Sequence, residues 1–451
     1  MNPIPVFTTP GARAPHTIRL DARAVVDAHG VQAAPGSLLL RVGAAGCEVL
    51  AAGAPGLVDQ HPGSVGAPQI DLPDSVLTPG HVNAHTHLDL THIGPRGYDP
   101  ADGFDSWLAM ILRERLHEEG AIRESVRLGV ALSIAGGVVA VGDIAGVGRV
   151  EAALELRASP LLGVSYVELF GVGDRQATVL RDAAAMLDRV GVGDANRVRI
   201  GLSPHAPFTA GSRLYAGVCE LSARTGAPLC THLAESVEER RFIEQGDGPI
   251  RALLERFDVW SDAILDDVGA GAHPVAHLEP SLRAAHWLLA HVNDCPDGAL
   301  PMLASTAADV VVCPRGWAYF GRGETVGRHR WRDMLDAGVN VALGTDSVVN
   351  LPREGPARIA TLDEARCLRE RDGADARTLL RMITTNGARA LGLQPSLFMF
   401  DPGPIAGVVR VAVGDSSDSD PLAMLMDTGT EIETLALGSL VGERLRGALE
   451  G

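Results

Sequence analysis

The chain has 451 residues, 46% of them apolar and 21% charged, the make-up of a folded protein with a sizeable core rather than a disordered one. Thirty-nine basic against fifty-six acidic side chains leave a net charge of −17, a surface that repels phosphate backbones and anionic lipid, so neither a nucleic-acid nor a membrane partner is expected. Every basic side chain is an arginine, and without lysine there is no Walker-type phosphate loop, no Schiff base and no carbamylated-lysine metal bridge.

The opening segment, MNPIPVFTTPGARAPH, has no charged start followed by an apolar run, and no later stretch is apolar for long enough to span a bilayer. The expected compartment is the cytoplasm. The six cysteines (Cys47, Cys219, Cys230, Cys295, Cys313, Cys367) form no C-x-x-C pair and read as reduced, mostly buried thiols. Residues 1–78 are rich in Gly, Ala and Pro, with short apolar runs at Ser37–Val42 and Cys47–Ala51 that read as strands and turns.

From residue 79 to 393 the pattern changes. Candidate strands are Val82–His87, Val138–Ile144, Leu162–Leu169, Val198–Pro204, Pro228–Leu233, Trp287–Val292, Asp309–Cys313 and Asn340–Gly344. Helical periods lie between them at Phe104–Glu119, Gln176–Val190, Ser212–Thr225 and Val237–Phe257, and another follows at Ala376–Leu391. Eight strands alternating with helices predict an α/β fold, a (β/α)8 TIM barrel, with an open doubly wound sheet as the alternative. No G-x-G-x-x-G follows an early strand, which weighs against a dinucleotide-binding form of that alternative. The tail from residue 394 returns to strand-like runs, Val408–Val413 and Glu431–Leu437, around an acidic loop, Asp415–Asp420.

In a barrel the reactive groups belong at the C-terminal ends of the strands. There the sequence reads His85-Thr86-His87, Ser203-Pro204-His205, Thr231-His232-Leu233-Ala234-Glu235, Ala290-His291 and Thr345-Asp346-Ser347. His85 and His87 are two apart on a strand and share a face, so they can bind one divalent metal; by themselves they are equally two polar histidines near a turn. His232 can add a third imidazole, and Asp346, on the strand that closes a barrel against the first, a carboxylate. Three neutral imidazoles and one carboxylate leave a Lewis acid able to bind hydroxide near neutral pH, and nitrogen-rich ligation suits one zinc, or ferrous iron, better than magnesium or calcium. Glu235, three residues past His232, can shuttle protons without ligating, although an acid at a helix start is the plain alternative that Glu238 and Glu239 fit better. His291 reads as a partner of the attacking hydroxide or as a buried structural histidine, and His205 as a substrate contact.

The segments "LTPGHVNAHTHLDL", "GLSPHAPFT", "THLAES", "LAHVND", "VVCPR" and "VALGTDS" together resemble the amidohydrolase superfamily, in its chlorohydrolase and hydrolytic deaminase branch. The resemblance runs from about Leu77 to Leu393. It implies one metal on His85, His87, His232 and Asp346, with Glu235 as proton shuttle, His291 as partner of hydroxide and substrate, and Asp346 also accepting a proton. It implies a small β-sandwich formed by residues 1–78 and 394–451 beside a catalytic barrel of residues 79–393. The activity it implies is removal of an amino group from an N-heterocycle, such as a purine nucleoside derivative, through a metal-bound hydroxide with release of ammonia. Cleavage of a cyclic amide or carbon–halogen bond is the alternative, and a non-catalytic metal-binding barrel a more distant one. The implied substrate is a small heterocycle, and a homodimer is one expected assembly. Substrate contacts are expected from His205, Trp107, Arg115 and Trp317, with Phe104, Arg113, Phe208 and Tyr319 as further candidates; arginine would meet a substrate carboxylate, while Phe104 and Trp107 at helical spacing can equally be core. Two departures stand out: Gly316 and Trp317 replace the usual Ser and Asn or His, and Asp401–Val413 only loosely matches the usual C-terminal strand signature.

Overall fold

The computed structural model describes residues 16–44, 46–99, 103–194, 197–413, 420–426 and 431–442. Eight parallel strands, His81–Thr86, Val138–Ala145, Leu162–Leu169, Val198–Pro204, Leu229–Leu233, Trp287–His291, Asp309–Val312 and Asn340–Leu343, pair in chain order. Their interiors are almost wholly buried, as strands covered on both faces must be, which is why the sequence shows continuous Val, Ile and Leu runs there rather than alternation.

The first and last strands meet, which decides for a barrel over an open sheet. The Asp346 amide donates to the His85 carbonyl at 3.0 Å, and Thr86 and Asp346 form a parallel bridge. Asn83 locks the seam: its Nδ2 donates to Thr345 Oγ1 (2.8 Å) and its Oδ1 accepts the Thr345 amide (3.0 Å). Gly344 permits this approach, since a Cβ there would stand 2.8 Å from the His85 Cβ.

The expected helices Gln176–Val190 and Ser212–Thr225 have those bounds, but three longer ones are broken. Phe104–Glu119 is one helix to Glu114, then an extended Arg115, then a new helix at Glu119–Ala135. Val237–Phe257 divides into Val237–Gln245 and Pro249–Arg256, because Gly246 (φ +71°) caps the first helix and Pro249 starts the second. Ala376–Leu391 breaks at Thr384, whose hydroxyl turns back onto the Leu380 carbonyl.

The two chain ends combine in one nine-stranded sheet, in the order Gly403–Ile405, Gly46–Gly53, Gly36–Gly43, His16–Asp27, Gln69–Pro79, Gly407–Ala412, Ile432–Leu437 and Leu440–Val441, with Gly30–Ala33 beside His16–Asp27. The sheet curls, since Ile432–Leu437 touches Gly46–Gly53 five places away, and both halves enclose a core of Ile18, Leu40, Val49, Phe400 and Leu435. A second face, including Val26, Val76, Val409 and Ile432, joins the core of the barrel. Residues 1–15 and most of the acidic loop, residues 415–419, lie outside the described residues.

Candidate active site

The strand ends converge. His85 is the penultimate residue of its strand and His87 follows the strand, and their rings lie 5.1 Å apart at right angles. His232 is 5.0 Å from His85, and His291 is 5.3 Å from it, so four imidazoles from three strands surround one point. Asp346 Oδ1 lies 3.6 Å from His85 Nε2 and 3.4 Å from His87 Nε2. The backbone is bent to achieve this: Ala234, His291, Val292 and Asp346 all have positive φ (+51°, +76°, +46°, +54°). Such conformations cost about 1–3 kcal/mol each in non-glycine residues and concentrate where side-chain placement matters more than stability.

Burial lowers the pKa of His232, and drives those of His87 and His291 well below the ordinary histidine value, neighbouring imidazoles adding to the effect. The rings are therefore neutral, with lone pairs to offer. Burial alone would raise Asp346, but the facing imidazoles outweigh it and hold the carboxyl well below the usual range. His232 is aimed by its Nδ1, which donates to the His205 carbonyl at 2.9 Å and leaves Nε2 for the cluster. Asp346 Oδ2 is held by Asn350 Nδ2 at 2.8 Å. Gly316 makes room for that pair, as a Cβ there would meet Asn350 Nδ2 at 3.1 Å and Asp346 Oδ2 at 3.3 Å.

The cluster is suited to a cation. Among the described residues, neither ring nitrogen of His85, nor Nδ1 of His87, has a hydrogen-bond partner although all are buried. Orphaned buried polar atoms are costly, and a metal ion would remove the cost. Candidate ligand atoms of His85, His87 and Asp346 lie within 4.8 Å of one another, and so do those of His85, His232 and His291.

Glu235 sits at the rim of the cluster, with Oε2 4.0 Å from His291 Nε2. Burial raises its pKa, opposed by Arg322, whose guanidinium is 3.7 Å away and lies over the rings of Phe104 and Phe320. The turn carrying Glu235 is clamped: both oxygens of the fully buried Glu239 accept backbone amides, Ala234 and Glu235, each at 2.8 Å, while Ser236 Oγ caps the Glu239 amide at 3.1 Å. The pattern Ser-x-x-Glu is a capping box whose acid reaches further back than usual.

A cleft of about 860 Å³, open to solvent, leads to this cluster. Of the expected substrate contacts, His205, Trp107 and Arg115 line it, as do Phe104 and Phe208. The Arg115 guanidinium also pairs with Asp89 (3.2 Å) and faces Glu168 (3.9 Å). Trp317 corrects an expectation: it does not line the cleft, and its ring instead lies under the Arg371 guanidinium at 4.2 Å. Tyr319 stacks on Tyr98, and exposed Arg113 pairs with Glu114. Sequence reasoning missed Glu168, Arg322, His329 (donating Nε2 to the His291 carbonyl at 3.0 Å) and Asn350. Glu168 had a signal, a carboxylate at the end of the third strand; Arg322 opens a one-turn helix and His329 lies in a loop, neither with a signal of its own.

The sequence pattern of the amidohydrolase family matches residues 76–435, which include every strand end just described. The chain belongs to the amidohydrolase family. This amidohydrolase is 30% identical to the aminodeoxyfutalosine deaminase of Deinococcus radiodurans over 70% of the chain and 74% of that protein. It is 28% identical to the 5-methylthioadenosine/S-adenosylhomocysteine deaminase of Moorella thermoacetica, over 76% and 74%. Among solved structures, it is similar in fold to the Helicobacter pylori aminofutalosine deaminase in complex with methylthio-coformycin (TM-score 0.75, 20% identity, 94% of this chain and 100% of that one).

Proposed function

We propose that this amidohydrolase is a hydrolytic deaminase of an adenosine derivative, replacing the exocyclic amino group of the purine with oxygen and releasing ammonia. The observation that carries the reading is the Glu235 carboxyl beside His291 and the imidazole cluster, at the closed end of an aromatic-lined cleft. The names of the relatives support the adenosine part.

In this reading His85, His87, His232 and Asp346 hold one divalent ion, zinc or ferrous iron by the nitrogen-rich donor set. When bound, it supplies Lewis acidity that makes water a nucleophile near neutral pH. Glu235, its pKa raised by burial, gives a proton to a ring nitrogen and so makes the amino-bearing carbon electrophilic. Oxygen from water bonds to that carbon, the carbon–nitrogen bond breaks, and the leaving nitrogen departs as ammonia after taking a proton that Glu235 has relayed from water. His291, its carbonyl anchored by His329, holds the oxygen side of the reacting centre, and Asp346 accepts a proton there. His205, its ring 5.0 Å from that of His232, contacts the substrate ring.

Catalysis on this reading belongs to the barrel, residues 79–393, with the described parts of residues 1–78 and 394–451 in the curled sheet beside it. A cytoplasmic setting is supported by the six cysteines, all free. The test is metal analysis joined to an ammonia-release screen over adenosine derivatives, purines, pterins, pyrimidines and triazines. Ammonia from adenosine derivatives is expected; turnover confined to a chlorinated triazine without ammonia would replace the reading.

A further inference from the structure

The wall of the cleft beneath His205 has a charge imbalance that the deamination scheme does not use. Glu168 ends the third barrel strand with its side chain only 2% exposed, yet it lines the cleft. One oxygen, Oε2, accepts the Val147 amide at 3.1 Å and faces Arg115 at 3.9 Å. The other, Oε1, faces His205 Nε2 at 3.8 Å, beyond hydrogen-bond reach, and has no donor among the described residues. Arg115 cannot neutralise it fully, because its closer partner is Asp89 at 3.2 Å. Two carboxylates therefore share one guanidinium.

The His205 ring does not correct the balance. Its Nε2 stands too far from Oε1 to donate to it, and its Nδ1 is taken up by Thr209 Oγ1 at 2.6 Å. Arg149 and His117 line a separate small hollow behind Arg115 rather than the cleft. The outer cleft is apolar, with Phe104, Trp107, Leu112, Phe208 and Leu253, and Arg115 is the one cation lining it among the described residues.

We propose that Glu168 is the specificity-determining residue of this cleft, accepting a neutral N–H or O–H donor of the substrate and excluding substrates that carry a carboxylate. The inference rests on the adenosine reading above and narrows it to uncharged adenosine derivatives with an apolar tail. Like charges brought together in a buried site cost more than a missing contact does, so selection here works by repulsion as well as by fit.

The test uses two ligands of nearly equal size, adenosine-5′-carboxamide and adenosine-5′-carboxylate, titrated calorimetrically against the metal-loaded protein. The carboxamide is expected to bind at least about tenfold more tightly to the wild type. In Glu168→Gln, which keeps an oxygen for the Val147 amide, the ratio is expected to fall to about threefold or less. Ammonia release should follow the same order, methylthioadenosine and 5′-deoxyadenosine ahead of S-adenosylhomocysteine and aminodeoxyfutalosine. Equal or tighter binding of the carboxylate to the wild type overturns the inference whether or not the variant folds, and so does a ratio unchanged in a folded Glu168→Gln. If the carboxamide is preferred but no adenosine derivative is deaminated, the deaminase reading fails while the selectivity stands. If neither ligand binds, both fail.

Discussion

At the scale of single residues, the site separates groups that touch the reacting atoms from groups that hold them. Glu235 is of the first kind. Glu235→Gln should keep one equivalent of metal and lose about 10²–10³ in kcat, as removal of a preorganised charged group does; near wild-type turnover would remove Glu235 from the chemistry. Glu239 is of the second kind. Glu239→Ala would leave the Ala234 and Glu235 amides without their acceptors, in a turn where Ala234 already has φ +51°. It should lower the melting temperature and kcat while leaving KM within about threefold, since the cleft wall is untouched. Metal content separates this from a collapsed site. The sequence made Glu235 and the four proposed ligands legible because each stands at a strand end, where position implies direction. It did not show that Arg115 pairs with Asp89 or that Trp317 lies under Arg371, because a pattern of aromatics and arginines does not say which of them already has a partner. Glu239 looks like an ordinary first-turn acid in the sequence, and only the folded turn brings two amides onto one carboxylate.

At the scale of elements, the barrel seam couples fold to chemistry. Asn83 joins the first strand to Thr345, next to Asp346, and is wholly buried. Asn83→Ala leaves the Thr345 amide and hydroxyl short of a partner, a loss of about 2–3 kcal/mol. Because Asp346 hangs from the same seam, metal affinity measured by competition with a chelator should weaken along with the unfolding midpoint. A fall in the midpoint with unchanged affinity would uncouple them. The strands were legible to within a residue or two, since burial on both faces writes them as apolar runs. The helices were less so: Arg115, the Gly246–Pro249 stretch and Thr384 each interrupt a period that continues on either side, so periodicity alone merges two helices into one.

At the scale of the whole molecule, the terminal sheet and the barrel share a core, and His81 sits at their joint. Its Nε2 meets Thr78 Oγ1 at 3.1 Å, and burial lowers its pKa to about 4. A depressed histidine stabilises the fold above its unfolded value near 6.5, and that contribution is lost as pH falls through the folded value. Between pH 7.5 and 5 the unfolded chain takes up a proton that His81 refuses, worth about 2 kcal/mol. Asp143 and Glu239, raised by burial to about 7 and about 8, act in the opposite sense over the same range. The prediction is therefore a difference: the stability gap between wild type and His81→Gln, from urea unfolding, should shrink by about 2 kcal/mol from pH 7.5 to pH 5. A gap independent of pH would mean that His81 titrates normally. That the chain ends would meet beside the barrel followed from the family resemblance; that they form a single curled sheet rather than two did not, because strand order is not written in local sequence.

The most direct measurement of the central claim is ammonia release from methylthioadenosine by protein shown to carry one equivalent of zinc or iron. The account predicts one ammonia for each nucleoside consumed, abolished by chelation and restored by the metal. A fully metallated protein that binds the nucleoside and releases no ammonia would contradict it.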